Sequence, residues 1–124
     1  MARCRLLTFV AFLILMAAPT LPGAATPGGS PDITVKGEIV DLACYIAHGA
    51  KGPEHQKCAE RCAAMGQPLG LLTSDGKLYV LVADHQDPSA LVKAKKLAGE
   101  QVEMTGEPSE RDGVAAIAVR TVKK

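Results

Sequence analysis

The order in which short β-rich runs and one well-punctuated helix follow one another constrains this fold more than any other feature. Two apolar runs, Leu69 to Thr73 and Lys77 to Ala83, flank Ser74-Asp75-Gly76, a strong hairpin signal. A helix is expected next. Asp87 is placed to cap it, Pro88 fits its first position and Gly99 fits just past its end. Leu91, Ala94 and Ala98 give that helix an apolar side, with Lys93 and Lys96 facing water. Two further strands, Gln101 to Glu107 and Val114 to Val122, are joined by a loop containing Asp112-Gly113. Upstream, Ile33 to Ile46 reads as one long strand whose alternation changes phase. Ile33, Val35 and Ile39 share one parity; Val40, Leu42, Cys44 and Ile46 share the other. A switch near Gly37 to Val40 predicts a bulge or bend.

The predicted order is strand, strand, strand, helix, strand, strand. It matches a mainly β, five-stranded Greek-key barrel of the OB-like kind, with one helix between strands 3 and 4. A two-layer α+β sheet is the competing architecture. No internal repeat is visible, and residues 32–124 read as a single domain.

Residues 1–25 read as an export signal. Arg3 and Arg5 form a basic start, Leu6 to Ala18 is apolar apart from Thr8, and Gly23-Ala24-Ala25 offers small residues before Thr26. The apolar run is short for a bilayer span, and Pro/Gly/Ser-rich sequence follows it to Pro31. Residues 26–31 are expected to be a flexible segment. A retained anchor is the alternative, but no cysteine follows the apolar run where lipid attachment would need one. The expected location is periplasmic or secreted, with no membrane association after cleavage. Signal removal would leave 99 of the 124 residues, a size at which an apolar core is marginal and a covalent or metal staple helps. It would also take Arg3 and Arg5 from the 14 basic side chains, leaving 12 against 13 acidic ones. Phe9 and Phe12 lie in the signal, so Tyr45 and Tyr79 are the only mature aromatics. A near-neutral surface without stacking residues argues against nucleic-acid binding.

Three cysteines remain after the signal: Cys44, and the pair in His55-Gln-Lys-Cys58-Ala-Glu-Arg-Cys62. An odd number of thiols in an oxidising compartment cannot all pair within one chain. Between strands one and two lies a long insertion, Ala47 to Pro68. It opens on His48-Gly49-Ala50-Lys51-Gly52-Pro53, a loop by its glycines and proline, and Glu54 to Met65 then turns helical in composition. Gly66 and Pro68 stop that helix. His55, Cys58, Cys62 and Met65 form one stripe, flanked by Ala59. Such a stripe ordinarily packs on a core, but leucine would be the usual filler, and these are ligands for soft metals. Cys44 is expected to point inward at the end of strand one, where the insertion helix can bring Cys58 or Cys62 to it.

Three readings compete. In the first, Cys44, Cys58 and Cys62 with His55 or His48 bind a metal. Three thiolates and an imidazole suit zinc; thiolates beside the Met65 thioether suit copper. In the second, Cys44 pairs with a helical cysteine, closing a loop of roughly 14–18 residues worth about 3 kcal/mol. The third thiol is then buried or intermolecular, so that monomer and disulfide-linked dimer are both open. In the third, Cys58 and Cys62 form a redox pair, although their spacing is not Cys-x-x-Cys. His85, Asp84 and Asp87 read as loop and cap residues.

The stretch from Gly37 to Val82 carries Cys44…His48-Gly-Ala-Lys-Gly…His55-Gln-Lys-Cys58-Ala-Glu-Arg-Cys62…Gly66-Gln-Pro68-Leu-Gly70-Leu-Leu72. It resembles a family of small exported bacterial proteins of uncharacterised function. In them a similar Cys…His-x-x-Cys-Ala-x-x-Cys…Gly-x-Pro-x-Gly-Leu-Leu pattern is set into an OB-like domain. The resemblance covers under half of the chain. It implies export and fold and brings no ligand, so the metal assignment rests on the residues alone. No paired carboxylates, serine nucleophile or phosphate-cradling loop is evident, and a non-enzymatic role is expected. The leading expectation is an exported domain binding zinc or copper through Cys44, Cys58, Cys62 and His55 or His48. The alternative is a disulfide-stapled module whose partner is a protein or small ligand.

Overall fold

β1 (Ile33–Asp41) is the strand on which the barrel turns. Its first part pairs antiparallel with β4 (Gln101–Arg111), from Ile33 opposite Gly106 to Glu38 opposite Gln101. Its second part pairs antiparallel with β2 (Leu69–Leu72), from Glu38 opposite Leu72 to Asp41 opposite Leu69. Strand β3 (Leu78–Ala83) forms a hairpin with β2 and runs parallel to β5 (Val114–Lys123), which pairs antiparallel with β4. The result is a closed barrel in the order β1-β2-β3-β5-β4. These statements come from a computed structural model that describes residues 29–124; the expected signal lies outside the described residues. Among the described residues no helix is long and apolar enough to cross a membrane.

The change of phase in β1 has a different cause from the expected bulge. Register is continuous along β1 against both neighbours, and the irregularity sits between Thr105 and Gly106 of β4. In β1 exposure alternates from Ile33 to Lys36, after which five successive residues are buried. Ile39 belongs to the main core, while Val40 joins Leu42 and Leu72 in a second, smaller apolar cluster. Both parities are therefore apolar because both faces of the strand's end are covered. At Gly37 the β1 and β2 backbones run close together: a Cβ there would collide with the Leu72 carbonyl.

The predicted continuation of strand one to Ile46 is overturned. The chain enters a helix, α1 (Leu42–His48), directly after Asp41. Asp41 caps it, its Oδ1 accepting the Cys44 amide at 2.8 Å, and Gly49 ends it in the left-handed region at φ 66°. Two caps outweigh the alternation of Leu42, Cys44 and Ile46. Leu42 is buried and Tyr45 half-buried one turn on, whereas Ala43, Ile46 and Ala47 face water.

The expected insertion helix forms as α2 (Gln56–Ala64). Gly66, at φ 90°, donates to the Ala63 carbonyl and Gln67 to that of Cys62, a Schellman ending. The helix expected between strands three and four is α3 (Ser89–Lys95), where the Asp87 carboxylate accepts the Ser89 amide at 2.9 Å. Strand β4 runs four residues further than predicted, so Asp112 and Gly113, both at positive φ, form a two-residue hairpin turn. Ile39, Leu71, Met104, Ile117, Val119 and Val122 fill the barrel. Ala59 and Ala63 of α2, with Ala90 and Ala94 of α3 and Ala98 just beyond it, belong to the same cluster. Their small side chains let both helices lie close on it.

Candidate metal centre

The site lies where α1 leaves β1 and α2 returns. Cys44 is the third residue of α1, held there by the hydrogen bond its backbone N–H donates to the Asp41 carboxylate. The loop to α2 is tied to β1 by a second buried carboxylate: Glu38 Oε1 accepts the Gly52 amide at 2.6 Å. The start of α2 is anchored on the other side. Gln56 donates to Glu100 at 3.0 Å and packs against Gly99, where a Cβ would stand 2.7 Å from the Gln56 Cα. With both flanks fixed, Cys58 and Cys62 rise on successive turns of α2 toward α1.

Three sulfurs meet there. Sγ of Cys44, Cys58 and Cys62 lie within 4.8 Å of one another, and all three thiols are free. Cys44 and Cys62 are half-buried and Cys58 is exposed, so the cluster has one open side. A second triple shares Cys44: ligand atoms of Asp41, Cys44 and His55 also lie within 4.8 Å of one another. His55 precedes α2, and its Nε2 stands 3.0 Å from Asp41 Oδ2. Asp41 itself is completely buried.

The electrostatics follow from that crowding. Burial alone would raise the Asp41 pKa, but the bonds from the Cys44 amide and His55 outweigh it and bring it below its usual value. The Cys44 thiol is pushed up to about 12, first by its hydrogen bond to Asp41, then by burial and by the negative charge beside it. Cys62 is raised by burial first, then by the Asp41 charge and by its neighbour Cys58. Donors are assembled here without a matching positive charge. A thiol beside a carboxylate is a poor nucleophile, whereas a bound cation would reverse the balance and deprotonate it.

The residues singled out from sequence separate clearly. Cys44, Cys58 and Cys62 converge, and His55 adjoins them through Cys44. His48 is exposed at the C-terminal end of α1 and belongs to neither triple. Met65 is exposed at the end of α2, and His85 lies exposed between β3 and α3. The His55, Cys58, Cys62 stripe does not itself pack on the barrel; Ala59 and Ala63 do. Cys44 is likewise on a helix and not on the inward face of a strand end. Sequence reasoning missed Asp41. Its signal was available as an aspartate three residues before Cys44, the spacing of a capping side chain to its N3 amide. No protein-family model, no curated protein and no solved structure matches this chain.

Proposed function

We propose that the chain is an exported, OB-like domain that binds a thiophilic metal ion, zinc or copper, through Cys44, Cys58 and Cys62, with His55 as fourth donor. The observation that carries this reading is the convergence of three free sulfurs from two separate helices within 4.8 Å. At a Zn–S bond of about 2.3 Å, sulfurs in a tetrahedral site stand roughly 3.8 Å apart. Small rotamer changes close that gap.

The strand order, with its one helix between β3 and β4, supports the OB-like assignment. Export rests on the basic start, apolar run and small residues of 1–25. The cysteine and histidine spacing is the ground for placing the chain with the small exported bacterial proteins it resembles. The carboxylate beside Cys44 favours ion binding over thiol catalysis. Cys58 leaves the site open to solvent, which fits an exchangeable, trafficked ion better than a closed structural one.

The test is elemental analysis of protein purified from the periplasm, beside a thiol count with and without reductant. One zinc or copper per chain, with three thiols protected until a chelator is added, is the expected result. One free thiol, one disulfide and no metal would replace this reading with the stapled module that binds a protein or small ligand.

A further inference from the structure

We infer that Asp41 is the positioning residue of this centre and biases it toward a divalent, tetrahedral ion such as Zn²⁺ over Cu(I); this rests on the metal-binding reading above. Asp41 is 0% exposed, and both its carboxylate oxygens are engaged. Oδ1 accepts the Cys44 amide at 2.8 Å and Oδ2 faces His55 Nε2 at 3.0 Å. An ionised carboxylate only accepts hydrogen bonds, so the facing nitrogen carries the proton. In the neutral ring the lone pair is then on Nδ1, the nitrogen left for an ion. This is the carboxylate–histidine–metal relation by which an outer carboxylate sets a ligand's tautomer and orientation and raises its basicity. From one buried position Asp41 holds a thiol ligand by its backbone and the imidazole by its ring.

Charge supplies the selectivity. Three thiolates and Asp41 bring four negative charges together, beside a neutral imidazole. A dication leaves a residual of two and a monocation leaves three. Among the described residues no Lys or Arg side chain pairs with Asp41; His55 is its one charged-group neighbour within salt-bridge distance. Repulsion between groups shielded from water is strong, and the dication relieves more of it. A set of three sulfurs and one nitrogen also meets the tetrahedral preference of zinc.

The experiment titrates Zn²⁺ and Cu(I) separately against chromophoric competitors, using the reduced wild-type chain, Asp41→Asn and Asp41→Glu. Asparagine keeps a good N-cap, so unfolding of the metal-free protein at neutral pH should change little. It removes the charge and the tautomer control, and zinc affinity should fall about 10–100-fold. Copper affinity should fall much less, because a monocation feels less of the lost charge, so the zinc-to-copper ratio drops; Asp41→Glu should recover part of it. In the Co²⁺-loaded protein, the visible bands should shift in Asp41→Asn as the imidazole donor is lost. Unchanged zinc affinity, or equal weakening of both ions, would reduce Asp41 to a helix cap and overturn the inference. A wild-type chain that binds neither ion would instead sink the metal reading itself.

Discussion

At Asp41 one side chain caps a helix, pairs with a histidine and holds a thiol in its protonated form. Because its folded pKa is lowered, its contribution to stability is present above the unfolded value near 3.9 and is lost as pH falls through the folded value. Acid titration followed by circular dichroism should therefore show the wild type losing stability below about pH 4, with Asp41→Asn flatter through that window. Asp41→Ala should cost roughly 1–2 kcal/mol at neutral pH in denaturant unfolding, because the cap is lost. Cys44 behaves oppositely. Its folded pKa is raised to about 12, so the stability it contributes in the metal-free chain is present below the unfolded value near 8.5 and is lost as pH rises past it. Reactivity separates the three thiols as well. In the metal-free protein at neutral pH, timed alkylation read by mass spectrometry should modify exposed Cys58 before half-buried Cys44, and bound zinc should protect both.

The elements explain how a surface cluster is held to such tolerance. Helix α2 lies on the core through two alanines, and its cysteines occupy the flank beside α1. A larger residue at the contact should lift the helix and separate Cys58 and Cys62 from Cys44. Ala59→Leu is expected to cost about 1–3 kcal/mol and to weaken metal binding, as over-packing does. Ala64→Leu, on the exposed side, should change neither; unfolding and metal titration of the two variants check this. The element misread from sequence is α1. Leu42, Cys44 and Ile46 satisfy a period of two, while Leu42 and Tyr45 satisfy helical spacing equally well over so short a segment. Asp41 and Gly49 decide between them, and neither signal lies within the apolar pattern. The stripe on α2 was legible as a stripe, but which of its edges meets the barrel was not. Alanine's burial depends on what packs against it.

For the whole molecule, an ion bound at the proposed centre on the insertion would be thermodynamically linked to the folding of the small barrel. An ion that binds only the folded chain stabilises it by about 2.7 kcal/mol when present at 100 times its dissociation constant. For a domain of this size each kcal/mol moves Tm by roughly 4–8 °C. Saturating zinc should therefore raise Tm by on the order of 10 °C in calorimetry, and a chelator should reverse the shift. Cys62→Ser should abolish most of the gain while leaving the metal-free Tm close to wild type, because Cys62 is only half-buried.

Local patterning was enough to set the number and order of the barrel's strands, the hairpin at Ser74-Asp75-Gly76, a helix after Asp87 and the presence of a cysteine-bearing helix in the insertion, though not where the first and fourth strands end. Alternation, turn residues and caps act over a few neighbours and can be read in one dimension. Closure of β1 onto β4, and the meeting of Cys44 with Cys58, Cys62, His55 and Asp41, join residues far apart in sequence or on different elements. Those distances depend on how helices pack and where buried carboxylates find donors. Only the tertiary structure settles such matters, because the energies that decide them belong to contacts between elements and to none of the elements alone.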